Sequence, residues 1–132
     1  SYFYGDDDSL QNNAKRHVFG PWFIVAWTEH LFSLSELDIQ RKTNRQSGSS
    51  TSGYVVSNRL SYELFKGVIP FALFEQENLD RDKPLTKLQT YGIGLQFFPR
   101  PHFELTAAWQ KERVFNSPYY TDLTWVMLHY YL

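Results

Sequence analysis

Apolar and polar residues alternate with period 2 along most of this chain, in segments of 10 to 15 residues separated by polar breaks. In 88–98, Tyr91, Ile93, Leu95 and Phe97 fall opposite Thr90, Gly92, Gly94 and Gln96. In 102–112, Phe103, Leu105, Ala107 and Trp109 fall opposite His102, Glu104, Thr106, Ala108, Gln110 and Glu112. In 53–64, Tyr54, Val56, Leu60, Tyr62 and Leu64 fall opposite Ser57, Arg59, Ser61 and Glu63. Successive side chains of an extended strand point to opposite faces, so each segment predicts a strand with one greasy and one polar side. Segment 18–27 is apolar on both sides, and 68–77 turns polar only at Glu75 and Glu77, so their facing stays open. The last stretch, 122–132, sets Thr124, Val126, Leu128, Tyr130 and Leu132 on one side and Leu123, Trp125, Met127, His129 and Tyr131 on the other, with no charge in either row.

The breaks alternate in length. Long ones rich in Gly, Ser, Asn and Asp cover 5–15, 44–53, 78–87 and 115–121, and tight ones fall at 28–30, 66–67 and 99–101. A barrel threaded through a membrane does this, because one rim carries short turns and the other longer loops. The segments are rich in Val, Ile, Tyr, Phe, Trp and Thr, which disfavours helices, and they are long enough for strands that cross a bilayer at a tilt. The pattern predicts seven full strands and an N-terminal stub, SYFY. The expected fold is all-β: an antiparallel up-and-down transmembrane β-barrel meander forming the C-terminal strands of a larger barrel, with residues 1–132 as one region. If the last strand runs inward and closes the barrel, every long loop lies outside and every tight turn inside.

Composition agrees with strands and adds exclusions. Aromatic residues make up 18% of the 132, with 9 Tyr, 11 Phe and 4 Trp, as suits strands and interfacial belts. Thirteen basic against 14 acidic residues leave a formal charge of −1 and no field that would draw nucleic acid. Without cysteine there is no disulfide scaffold, thiolate metal site or Cys nucleophile. Mean hydropathy is −0.44, a value that alternating strands also give.

The run from YELFKG (62–67) through YGIGLQFFPRPHFELTAAW (91–109) to TWVMLHYYL (124–132) resembles the C-terminal end of porin-like outer-membrane proteins of the phosphate-selective porin type. It covers roughly the last 70 residues, and Leu132 stands where a terminal Phe is usual. The resemblance implies a bacterial outer-membrane location and passage of solutes, and identifies no substrate.

The expected lumen-lining set is Glu36, Asp38, Gln40, Lys42, Arg59, Glu63, Glu75, Glu77, Gln96, Glu104, Gln110 and Glu112, with Arg59 pairing Glu63 or Glu104. Its acidic excess would concentrate cations in a wide pore, and in a narrow barrel the same groups would have to pair. Thr124, Val126, Leu128, Tyr130 and Leu132 form the expected barrel-closing and assembly row. His30, His102 and His129 fall near the expected inner rim and only His17 near the outer one, with no Ser at a catalytic spacing beside it, so no catalytic or metal role and no cofactor is expected. Asp6, Asp7 and Asp8 read as a solvated loop, and Trp22, Trp27, Trp109, Trp125, Tyr119, Tyr120, Tyr130 and Tyr131 as interfacial aromatics. Expected partners are the lipid bilayer, lipopolysaccharide, the barrel-assembly machinery and other outer-membrane subunits. Three functions compete: a passive or weakly selective porin-like channel, a structural barrel enclosing or anchoring a partner protein, and a soluble ligand-binding barrel.

Overall fold

A computed structural model of the chain describes residues 2–7, 14–45, 47–83, 87–115 and 117–131, with side chains from Lys15 onward. Nine strand segments follow in order: β1 (Tyr2–Asp7), β2 (Ala14–Phe19), β3 (Trp22–Ala26), β4 (Leu31–Asn44), β5 (Ser50–Tyr62), β6 (Val68–Asn78), β7 (Lys87–Arg100), β8 (Phe103–Val114) and β9 (Thr121–Tyr130). β2 and β3 pair β4 in a single register, Phe19 with Ile39 and Trp22 with Glu36. They are one strand interrupted at Gly20–Pro21, where proline has no N–H to give. The ladder is kept by Leu37 N–H donating to the Pro21 carbonyl at 3.1 Å. The sheet therefore has eight antiparallel strands in sequence order, β1 to β9, each hydrogen-bonded to its neighbour in the chain. Among the described residues no rung joins β1 to β9, so the sheet is open. Among the described residues there is no helix.

The registers settle the facing of every strand. Paired residues share a face, so Leu128, Leu105, Phe97 and Val68 form one row across β9, β8, β7 and β6. Thr124, Trp109, Ile93, Ala72 and Leu60 form the next but one, reaching β5. The opposite face carries Glu104, Thr106, Gln96, Glu75, Ser57 and Glu36. The two segments without a clear pattern fall into place: Trp22, Ile24, Ile69, Phe71 and Leu73 join the polar face, and Phe23 and Val25 the apolar one.

Burial is inverted relative to a soluble sheet. Among the described residues only Phe71 and Ala108 are buried apolar side chains, whereas Gln40, Ser61, Thr90, Glu104 and Thr106 are buried and polar. All seven belong to the polar face, with Asn78 the buried side chain of the other. Side chains converge on the inside of a curled sheet, so the polar face is the concave one. Glycine makes room there: a Cβ on Gly94 would enter the Phe71 ring and lie 2.6 Å from the Ala107 carbonyl. The outer face leaves Ile93 60%, Val126 68% and Tyr130 70% exposed.

The loops are shorter than the polar composition suggests. Residues 50–53 continue β5 and pair Thr43 to Gln40, which leaves 45–49 as the connection, no longer than 63–67 at the opposite end. Length alternation therefore fails for this pair, and 79–86 remains the longest break. The tight turns hold 27–30, 63–67 and 101–102, with Gly67 at φ 82 and His102 at φ 66. Asp6 and Asp7 belong to β1 rather than to a loop. Asp8 and Leu132 lie outside the described residues.

Candidate functional site

The concave face gathers the residues that period-2 reading assigned to it. Glu36, Asp38, Gln40 and Lys42 come from β4, Arg59 from β5, Glu75 and Glu77 from β6, Gln96 from β7, and Glu104, Gln110 and Glu112 from β8, all on this one face by register. Glu63 stands apart in the turn after β5. Its Oε1 accepts the Gly67 N–H at 3.3 Å, and its Oε2 lies 3.9 Å from His30 Nδ1, so it holds the turn rather than Arg59.

Near the tight-turn end a hydrogen-bonded chain crosses four strands. Arg59 Nη2 donates to Gln96 Oε1 at 2.7 Å, and Gln96 Nε2 donates to Glu104 Oε1 at 2.6 Å. The expected Arg59–Glu104 pair is thus relayed by an amide instead of touching. Thr106 Oγ1 donates to the same Glu104 oxygen at 2.8 Å, and Tyr131 donates to Oε2 at 2.5 Å. His129 Nδ1 stands 3.6 Å from Oε2. Arg59 lies over the Phe71 ring at 3.8 Å and donates from Nε to Ser61 Oγ at 3.2 Å. One cation and one carboxylate, each hydrogen-bonded several times, make this tier internally satisfied, as partly buried charges require. The Tyr131 phenol, beyond the end of β9, is pushed up from its usual range, first by the bond it donates to Glu104, then by desolvation and the Glu104 charge.

The tier toward the long loops is different. Glu75, Glu77 and Glu112 surround a recess of about 190 Å³ with Val55, Leu88 and Thr90. Ser57 Oγ donates to Glu75 at 3.4 Å, and no basic group pairs with these three carboxylates among the described residues. On β4 the Oδ1 of Asp38 is buried without a hydrogen-bond partner where the side chain crosses Gly20, and Gln40 accepts from Arg16 at 2.5 Å. The concave face is thus neutralised around Glu104, while toward the long loops three carboxylates of β6 and β8 gather without a basic partner, with Arg16 and Lys42 set apart on β2 and β4.

The remaining polar chemistry is dispersed. His30 and His102 sit in tight turns, His17 near the other end of the sheet, and no group of three His, Asp or Glu is placed to hold a metal among the described residues. Trp22 and Trp125 lie on the concave face by register, while Trp109 and Tyr130 lie on the outer one. Sequence reading missed the Gln96 relay and the Tyr131 donor, because both depend on which residues stand opposite. Comparison with known protein families, with curated proteins and with solved structures gives no match to this chain.

Proposed function

We propose that the chain forms part of the wall of a transmembrane β-barrel in a bacterial outer membrane, a porin-like channel for passive, weakly cation-favouring passage of small solutes. The inverted burial carries this reading: buried groups on the concave face are mostly polar, and the large side chains of the exposed outer face are mostly apolar from β6 to β9, with Ser33, Ser35 and Asn58 as polar breaks on β4 and β5. Strands of 10 to 14 residues from β4 to β9 measure about 33–46 Å at about 3.3 Å per residue. At a tilt near 45° they rise about 23–33 Å, a range that brackets a hydrocarbon layer of about 25–30 Å. The outer face would meet lipid and the concave face water. Glu75, Glu77 and Glu112, with no basic partner, would raise the local cation concentration.

Conductance across a planar bilayer tests this. The protein is expected to give stepwise openings whose reversal potential in a salt gradient favours cations, with the preference reduced by Glu75→Gln, Glu77→Gln and Glu112→Gln together. Inserted protein that never conducts would refute the channel. That result would favour a sealed scaffold around a partner protein, which the exposed inner apolar groups Trp22, Ile24, Leu123 and Met127 would suit.

A further inference from the structure

Charge on the outer face is sorted by sign and by height. Between β2 and β9, the basic residues on that face are Lys15, Arg41, Lys87, Lys111 and Arg113, with Arg100 beyond the bulge after Phe97. The acidic one is Asp122, 4.0 Å from Lys111. On the concave face the balance reverses, with six acidic and three basic residues: Glu36, Asp38, Glu75, Glu77, Glu104 and Glu112 against Arg16, Lys42 and Arg59. Every outer basic residue except Arg100 stands at the end of its strand nearest the long connections. Arg81 joins them from the 79–86 connection, its N–H bonded to the Ser52 carbonyl at 2.9 Å. Asp6 of β1 stands opposite Lys15.

These basic groups are laid on rings. Lys87 Nζ is 4.3 Å from the centre of Phe115, Arg81 5.4 Å from Tyr54, Arg113 5.3 Å from Tyr120, and Lys111 5.4 Å from Trp109. A hydrogen-bonded chain ties the same rim across four strands. Arg113 donates to the Tyr120 hydroxyl at 2.8 Å and to Gln89 at 3.3 Å, Gln89 to Gln76 at 3.2 Å, and Gln76 to the Tyr54 hydroxyl at 2.6 Å. Below this rim the outer face is apolar through Tyr91, Ile93 and Leu95. Cations and aromatic rings above a greasy band complement a lipid whose phosphates sit at that height and whose chains run down the band.

We propose that this rim is a docking surface for phosphate-bearing lipid headgroups of the leaflet on the long-loop side. The proposal rests on the membrane reading above, and names the lipid chemistry its outer face selects. The full-length protein would be reconstituted in vesicles of phosphatidylcholine alone, or with added phosphatidylglycerol or a diphosphorylated glycolipid. After extraction in mild detergent, native mass spectrometry would count the retained lipids. Retention is expected to rank the diphosphorylated glycolipid first and phosphatidylcholine last, and free inorganic phosphate is expected not to compete. The triple variant Lys87→Gln, Lys111→Gln, Arg113→Gln is expected to weaken retention about a hundredfold, at roughly fivefold per charge. Lys66→Gln with Arg100→Gln, at the opposite end, is expected to leave it unchanged. If the triple variant fails to fold, as read by heat-dependent gel mobility, Lys111→Gln alone serves, with an expected loss of roughly fivefold. Equal retention by the rim variants, equal loss from the opposite-end pair, or full competition by phosphate would overturn the docking surface alone. Failure to enter even phosphatidylcholine vesicles would overturn the membrane reading and this proposal together.

Discussion

An arginine in place of Ile93 separates lipid from water as the medium of the outer face. Ile93 lies midway along β7 in the row with Ala72 and Trp109, and is 60% exposed, so a larger side chain meets no packed neighbour. If that face met water, Ile93→Arg would change stability by no more than about 0.5 kcal/mol, as ordinary surface substitutions do. At the midplane of a bilayer the same change costs about 2–4 kcal/mol, a loss of roughly thirty- to several-hundredfold in the folding constant. Phe97→Arg, on the same face but close to the bulge at the strand end, is expected to cost about 1 kcal/mol or less. The assay is reversible denaturant unfolding of protein folded into phosphatidylcholine vesicles, followed by the fluorescence of its 4 tryptophans. A cost for Ile93→Arg below about 0.5 kcal/mol, or equal to that of Phe97→Arg, would refute the lipid-facing assignment.

Other substitutions probe the concave face and the turns. Glu104→Ala removes the acceptor shared by Gln96, Thr106 and Tyr131, and leaves Arg59 without its relayed counter-charge. It is expected to cost about 2–3 kcal/mol in the same unfolding assay. Glu104→Gln, which keeps an acceptor oxygen, should cost less. Gly94→Ala drives a methyl group against Phe71 and the Ala107 carbonyl and is expected to cost about 1–3 kcal/mol, of which adding Phe71→Leu should recover only the part due to the ring. His102→Gly relieves a positive φ in the two-residue turn between β7 and β8 and should raise stability by about 1 kcal/mol, whereas His102→Val should lower it.

Period 2 carried the face of each residue because the sheet keeps one register per strand pair from β2 to Phe97, so parity along the chain becomes side in space. That is why Glu36 and Glu112, four strands apart, could be placed together without knowing any contact. Composition misled where polar residues form strand. Ser50 to Gly53 read as loop, but their backbone bonds β4, and a serine at a strand end needs no apolar neighbour. Glu63 has the parity of the concave face, yet the chain turns there, and the Gly67 N–H takes its carboxylate. The outer basic rim was open to reading, since Lys15, Arg41, Lys87, Lys111 and Arg113 all have outward parity within four residues of a strand end on the same side of the sheet. It was passed over because basic residues look scattered until the strands are aligned.

The two side-chain chains explain how a single-layer sheet can be specified without a core. The surface of 9482 Å² exceeds the about 7,300 Å² expected of a compact protein of 15.6 kDa, and the two buried apolar side chains among the described residues cannot offset the entropy of ordering so many residues. On the membrane reading proposed above, stability comes from the lipid that covers the outer face. That medium rewards apolar area but does not discriminate between registers, because a strand that slipped by two residues would present a similar greasy row. Directional bonds between named partners do discriminate. Arg59, Gln96, Glu104 and Tyr131 lock β5 to β9 at the tight-turn end of the concave face, while Tyr120, Arg113, Gln89, Gln76 and Tyr54 lock β8 to β5 at the long-loop end of the outer face. The locks sit at opposite ends and on opposite faces, so no slip of the β5–β8 strands can preserve both.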